Sequence, residues 1–79
     1  MMPQVVLTGW TPGLKKVSST KLLRQKAGLG LKDAKDCTDR LLAGETVRVA
    51  VSSLATAEDL AREATALGAD AHAEPGSGG

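Results

Sequence analysis

Glycine residues divide this chain into short segments whose apolar residues repeat with different periods. Residues 4–8, just before Gly9, form a β-branched run that is typical of a strand meeting a turn. Residues 46–51, after Gly44, alternate between apolar and polar side chains, which predicts a half-buried strand. Between these runs apolar residues recur every three to four positions, which is typical of helices. The chain is therefore built from short helices and strands that must pack together to bury their apolar faces.

Two helices are predicted between the first two strands. The first covers about residues 17–27, with Ser18 or Ser19 as the N-cap and Gly28 as its natural end. Its inward positions are predicted to be Val17, Thr20, Leu23 and Ala27. The second begins near residue 31 and stops before Gly44. Its inward positions are predicted to be Leu31, Ala34, Cys37 or Thr38, and Leu41. Three ion pairs are predicted four residues apart on its outer side, namely Lys32 with Asp36, Lys35 with Asp39, and Asp36 with Arg40.

A third helix and a last strand complete the predicted fold. The helix covers residues 54–67, with Thr56 and Asp59 as a capping box and Gly68 as its end, and residues 69–73 form the strand. A right-handed crossover makes the second and third strands parallel, so the first strand fits between them, antiparallel to both. The predicted fold class is α+β, in the order β-α-α-β-α-β, with a three-stranded antiparallel sheet of order 2-1-3 and three helices on one face.

The length of 79 residues allows one domain. We expect that domain to occupy residues 1–74, followed by a flexible Gly/Ser tail at 75–79. The start of the chain lacks the pattern of a signal peptide, and no apolar run is long enough to span a bilayer. A single cysteine excludes an internal disulfide and suits a reducing compartment. The expected location is the cytoplasm, away from membranes.

Positive charge is concentrated in one part of the chain. Seven of the ten Lys and Arg residues lie between Lys15 and Lys35, where only Asp33 opposes them, whereas the chain from Asp36 onwards has three basic and eight acidic residues. Such a window is either the solvated face of two helices or a surface that attracts an acidic partner. RNA binding is the less favoured alternative, because the window contains no aromatic ring for base stacking.

The residues that carry chemistry are isolated in the sequence. His72 is the one imidazole, and Cys37 is most simply a small buried residue, whose pKa the nearby lysines would lower if it were exposed. Asp33 stands where a phosphate-binding G-x-G-x-x-G motif needs its third glycine, so Gly28 and Gly30 are interpreted as an interhelical turn. We therefore predict no catalytic residues, no metal site and no cofactor.

A longer motif identifies a family. Residues 28–36 read GLGLKDAKD, with Lys21 and Arg24 at matching offsets before them and the run ALGAD at 66–70. This combination, within residues 5–74, resembles the C-terminal domain of bacterial ribosomal protein L7/L12. The two glycines fix the turn between two helices, and the residues after them start a helix of defined phase.

The resemblance implies a non-enzymatic module of the ribosomal stalk that recruits translational GTPases, the elongation and initiation factors, and that can associate with the ribosome. The partner-binding positions that it implies are Lys16, Lys21, Arg24, Gly28, Leu29, Gly30, Leu31, Lys32 and Lys35. The basic members of this set would steer an acidic partner, with salt weakening the attraction. The glycines and leucines would shape the turn.

The sequence also departs from the family pattern. An L7/L12 protein usually carries an N-terminal dimerisation domain and an alanine-rich hinge, and neither is present in this sequence. The chain is thus expected to be either a fragment or a stand-alone relative, and a relative could act as an adaptor outside the ribosome. Ser18, Ser19 and Thr20 replace mostly apolar positions, and residues 9–13, with Trp10, are predicted to form an enlarged first loop.

Overall fold

The computed structural model describes residues 2–75. Its elements in chain order are β1 (Gln4–Trp10), α1 (Lys16–Lys26), α2 (Leu31–Leu42), β2 (Val47–Ala50), α3 (Leu54–Ala66) and β3 (Ala69–Glu74). The predicted α+β class and the order β-α-α-β-α-β are confirmed. The predicted tail at 75–79 lies, apart from Pro75, outside the described residues, and the division into a domain and a tail stays a prediction.

The three strands form one antiparallel sheet with β1 in the centre, in the order β2-β1-β3. Val5 lies opposite Val49 of β2 and Ala73 of β3, so side chains at these three positions share one face. The register of β1 with β3 shifts between Leu7 and Gly9. The predicted strand order and direction are therefore confirmed.

The hydrophobic core lies between one face of the sheet and the helices. Alternate strand residues point into it, as the pattern of residues 46–51 predicts for Val47, Val49 and Val51, while Arg48 stays exposed. Helix α3 contributes Leu60, which is fully buried, and α2 packs against β1 and β2. Helix α1 packs on α2 and α3 instead of on the sheet. None of its Cα atoms comes within 8 Å of a strand Cα.

The opposite face of the sheet carries a polar network around Val6, whose neighbours in the register are Arg48 and His72. Glu74 Oε1 accepts hydrogen bonds from Gln4 Nε2 at 3.0 Å and from Arg48 Nη1 at 3.2 Å, and His72 Nε2 lies 3.1 Å from Glu74 Oε2. The hydrogen bonds from His72 and then Gln4 hold the pKa of the Glu74 carboxyl below its ordinary value. One carboxylate thus links all three strands on this face.

Two helix starts differ from their predictions. Ser53 caps α3, because its Oγ accepts the Thr56 N–H at 3.1 Å, so the cap lies three residues before the predicted one at Thr56. Helix α1 begins after Lys15 without a side-chain cap. Ser19, predicted as a possible cap, is buried in α1, and its Oγ has no hydrogen-bond partner among the described residues.

The predicted first loop is also shorter than expected. Gly9 and Trp10 belong to β1, because β3 is long enough to pair with them through Asp70 and Ala69. The loop that remains is closed by Thr11, whose N–H and Oγ1 donate to the Gly68 carbonyl at 2.8 and 3.1 Å. Trp10 keeps 41% of its surface exposed at the end of the strand.

A groove between the first two helices

A short glycine turn brings α1 and α2 together. Helix α1 ends at Lys26 with Ala27 as its C-cap. Gly28 follows with a φ of +69°, a left-handed backbone conformation that residues with a Cβ rarely adopt. Gly30 then takes an extended conformation as the N-cap of α2, and its carbonyl accepts the Ala34 N–H at 2.9 Å. The predicted end of α1 at Gly28 is confirmed.

The packing of α1 on α2 and α3 decides which of its side chains are buried and which are exposed. Leu22 and Leu23 are buried together with Ser19, so the opposite side of the helix faces solvent. This arrangement differs from the prediction, because Val17 is 70% exposed and does not face the core. Leu31, at the first position of α2, is likewise 56% exposed, so it also does not face the core as predicted.

The exposed sides of the two helices form one open groove with a volume of about 460 Å³. From α1 come residues spaced three and four apart, and α2 contributes a second such row. The lining residues are Lys16, Val17, Thr20, Lys21, Arg24, Leu31, Lys35, Thr38 and Asp39.

The cations of the groove are free to meet a partner. Within residues 2–75, no carboxylate lies within ion-pairing distance of Lys16, Lys21, Arg24 or Lys35. Val17 and Leu31 also line the groove, so exposed apolar surface accompanies the unpaired positive charges. The arrangement is suited to an acidic surface with an apolar side chain of its own.

Other charges of the basic window are used inside the domain. Lys26 Nζ lies 3.4 Å from Asp59 Oδ2 and 3.6 Å from Glu63 Oε2, so it links the end of α1 to α3. Of the three ion pairs predicted along α2, the described residues contain only Asp36 with Arg40, at 3.1 Å. The charge presented to a partner is thus smaller than the sequence count suggests.

Five of the nine predicted site residues line the groove, namely Lys16, Lys21, Arg24, Leu31 and Lys35. Leu29 borders a neighbouring depression beside Lys21 and Arg24, and Gly28 and Gly30 form the turn. Lys32 does not line the groove; it borders an adjoining depression, which it shares with two groove residues, Lys35 and Asp39.

Four groove residues were missed by the sequence analysis, namely Val17, Thr20, Thr38 and Asp39. Helical spacing contained the signal, because positions 17, 20, 21 and 24 share one helix face and positions 31, 35, 38 and 39 share another. Val17, Thr20 and, as the alternative to Cys37, Thr38 are instead predicted to lie on the inward faces of their helices. Thr38 is indeed buried, and it lies at the floor of the groove.

Cys37, predicted to be a small buried residue, is half-buried. Burial, followed by the nearby charge of Asp36, raises the pKa of its thiol above its ordinary value. A lowering by nearby lysines is predicted only for an exposed thiol, and the burial of Cys37 acts in the opposite direction. Within residues 2–75 no group of three or more His, Cys, Asp or Glu side chains is placed to hold a metal ion. In the same range, no helix has the length and apolar character to cross a membrane.

The family is decided by comparison with known proteins. Residues 4–74 match the model of the ribosomal protein L7/L12 C-terminal domain. The chain belongs to this family. The match covers all six elements and the whole α1–α2 groove, so the resemblance drawn from the glycine turn is confirmed.

The relatives found are larger proteins. Large ribosomal subunit protein bL12 of Xanthomonas oryzae pv. oryzae, in strains PXO99A and MAFF 311018, is 46% identical to this chain over 65 residues. That alignment covers 82% of this chain and 48% of each relative. The chain therefore spans about half the length of the curated relatives that it matches.

Proposed function

We propose that this domain is a non-enzymatic protein-binding module that recruits translational GTPases through the α1–α2 groove. The observation that carries the proposal is the combination, in one groove, of two exposed apolar side chains with four cations that no carboxylate of the described residues pairs with. Membership of a ribosomal protein family supports translation as the setting. Elongation and initiation factors are the expected partners, and the family supports association with the ribosome in the cytoplasm as part of the same proposal.

The groove supplies both parts of a protein interface. Exposed charges such as Lys21 and Arg24 raise the rate of encounter with an acidic partner, and this attraction acts over a Debye length of about 8 Å at physiological salt. Val17 and Leu31 then offer apolar area that loses contact with water when the partner is seated. An interface of this kind associates quickly, and its affinity falls as salt is added.

Charge reversal at two lysines of α2 tests whether the groove itself binds. Lys35 lines the groove and Lys32 does not, although both are exposed on the same helix and the same charge change applies to both. We expect K35E to weaken binding to bacterial elongation factor G by about tenfold at low salt and K32E by much less. Equal losses would show that only net charge matters, and absence of binding by the unmodified domain would contradict the proposal.

The apolar contribution is tested by two matched leucines. Leu31 and Leu54 are each the first residue of a helix and are 56% and 43% exposed, but only Leu31 lines the groove. Truncating Leu31 to alanine should weaken factor binding by about fivefold or more, while Leu54→Ala leaves it unchanged. Both variants should unfold within about 0.5 kcal/mol of the parent, since neither side chain is buried. RNA binding in place of factor binding would favour the nucleic-acid alternative.

A further inference from the structure

Helix α1 carries three of the four groove cations, yet it is the helix farthest from the sheet. Its apolar anchorage consists of two buried leucines, Leu22 and Leu23. Helix α2, which forms the other wall, packs directly on β1 and β2. The shape of the groove therefore depends on what fixes α1 relative to α2.

One direct polar link joins the two helices at the floor of the groove. Thr20 Oγ1 of α1 lies 3.0 Å from Thr38 Oγ1 of α2, and Thr38 is only 4% exposed. Each hydroxyl is also within bonding distance of a carbonyl four residues earlier in its own helix. These carbonyls are Lys16 O, at 3.0 Å from Thr20 Oγ1, and Ala34 O, at 3.1 Å from Thr38 Oγ1.

The two threonine hydroxyls have fewer protons than there are hydrogen bonds within their reach. Two hydroxyl groups have two protons, but three hydrogen bonds are within reach, so one of the three is always unmade. When either threonine donates to the other, the carbonyl four residues earlier in its helix, Lys16 O or Ala34 O, still accepts the regular helical N–H. The bond between the helices can thus form without leaving a buried polar group unsatisfied.

We propose that Thr20 and Thr38 are positioning residues that hold α1 against α2 and so set the geometry of the groove. That the groove geometry matters for partner binding rests on the proposed function. The link itself is a property of the domain alone. Lys21 and Arg24 follow Thr20 by one and four residues, and Lys35 precedes Thr38 by three, so the link lies close in sequence to cations on both walls of the groove.

Valine substitutions isolate the link, because valine keeps the shape of threonine without its hydroxyl. In T20V the Thr38 hydroxyl can still donate to Ala34 O, and in T38V the Thr20 hydroxyl can still donate to Lys16 O. Neither variant leaves a hydroxyl without an acceptor, and both should fold. Thr65 provides the control, since its Oγ1 donates to Ala61 O at 2.8 Å within α3 and joins no second helix.

Amide hydrogen exchange, measured by NMR, tests the link in the domain alone. In T20V and T38V we expect α1 amides to exchange between about two and ten times faster, relative to β1 amides of the same variant, because one hydrogen bond between the helices is lost. T65V should leave this ratio unchanged. T20S and T38S restore a hydroxyl and should restore slow exchange in α1.

Factor binding forms the second arm of the experiment. The affinity of bacterial elongation factor G should fall by a similar factor in T20V and T38V and recover in the serine variants. An exchange ratio in T20V and T38V equal to that of T65V would overturn the positioning role. Altered exchange without any factor binding by the parent domain would uphold the link and contradict only the proposed function.

Discussion

A methyl group added at Gly68 should destabilise the domain severely, because Gly68 lies where α3, β3 and the loop before α1 meet. Its φ of +104° strains any residue with a Cβ, at a cost of about 1–3 kcal/mol. A Cβ there would lie 2.9 Å from Leu14 Cα and 3.1 Å from Thr11 Oγ1, and moving this loop costs about 1–3 kcal/mol more. We therefore expect Gly68→Ala to remove about 2–6 kcal/mol.

That loss is large for a chain of 79 residues, whose free energy of unfolding is expected to be about 4–12 kcal/mol. Thermal unfolding followed by circular dichroism should show a fall in Tm of at least about 8 °C, since 1 kcal/mol corresponds to about 4–8 °C in a domain of this size. The damage should extend to α1, because the Lys15 N–H, at the start of that helix, donates to Leu67 O at 3.0 Å.

Alanine substitutions at two other glycines separate the free-energy cost of backbone strain from that of steric overlap. Gly44 has a φ of +89° but nothing within 4 Å of an added Cβ, so Gly44→Ala should show the backbone strain alone, about 1–2 kcal/mol. Gly13 has neither a positive φ nor a neighbour, and Gly13→Ala should leave stability nearly unchanged. A Gly68→Ala variant no less stable than Gly44→Ala would refute the steric cost of an added Cβ beside Leu14 and Thr11.

Two further predictions concern charge. Asp39 is the one acidic residue that lines the groove, so D39N should raise the affinity for elongation factor G a few-fold at low salt. The control E58Q removes a charge from α3, outside the groove, and should leave the affinity unchanged. Equal effects of the two variants in a binding titration would count against the groove as the binding site. Glu74 has a lowered pKa in the folded state, so it stabilises the domain above pH 4.5, its ordinary value, and this contribution disappears as the pH falls through the folded pKa. The difference in urea stability between the parent and E74Q at pH 7 should therefore shrink as the pH falls below 4.5. A difference independent of pH would show that hydrogen bonding to His72 does not lower this pKa.

The order of helices and strands could be predicted because its signals are local. The residues at which helices end are set by backbone conformation, and the structure gives Gly28, Gly44 and Gly68 positive φ values. The alternation of residues 46–51 likewise follows from the geometry of a single strand. Strand order then required only the rule for the handedness of crossovers.

The groove could be predicted only in part, because it depends on how two helices face each other. In α1 the apolar pattern is weak, and packing on α2 and α3 buries Ser19 while exposing Val17. Lys26 counted toward the basic window, but Asp59 and Glu63, more than thirty residues further along, bind it. Such non-local contacts decide which charges remain free, and the periodicity of the sequence does not predict these contacts.

The most direct test of the central claim is an NMR titration of the labelled domain with unlabelled bacterial elongation factor G at low salt. We predict that amide signals of Val17, Lys21, Leu31 and Lys35, which line the groove, shift or broaden first, and that added salt reverses the effect. The polar face of the sheet should be unaffected. Changes centred on that face, or no change at all, would contradict the account.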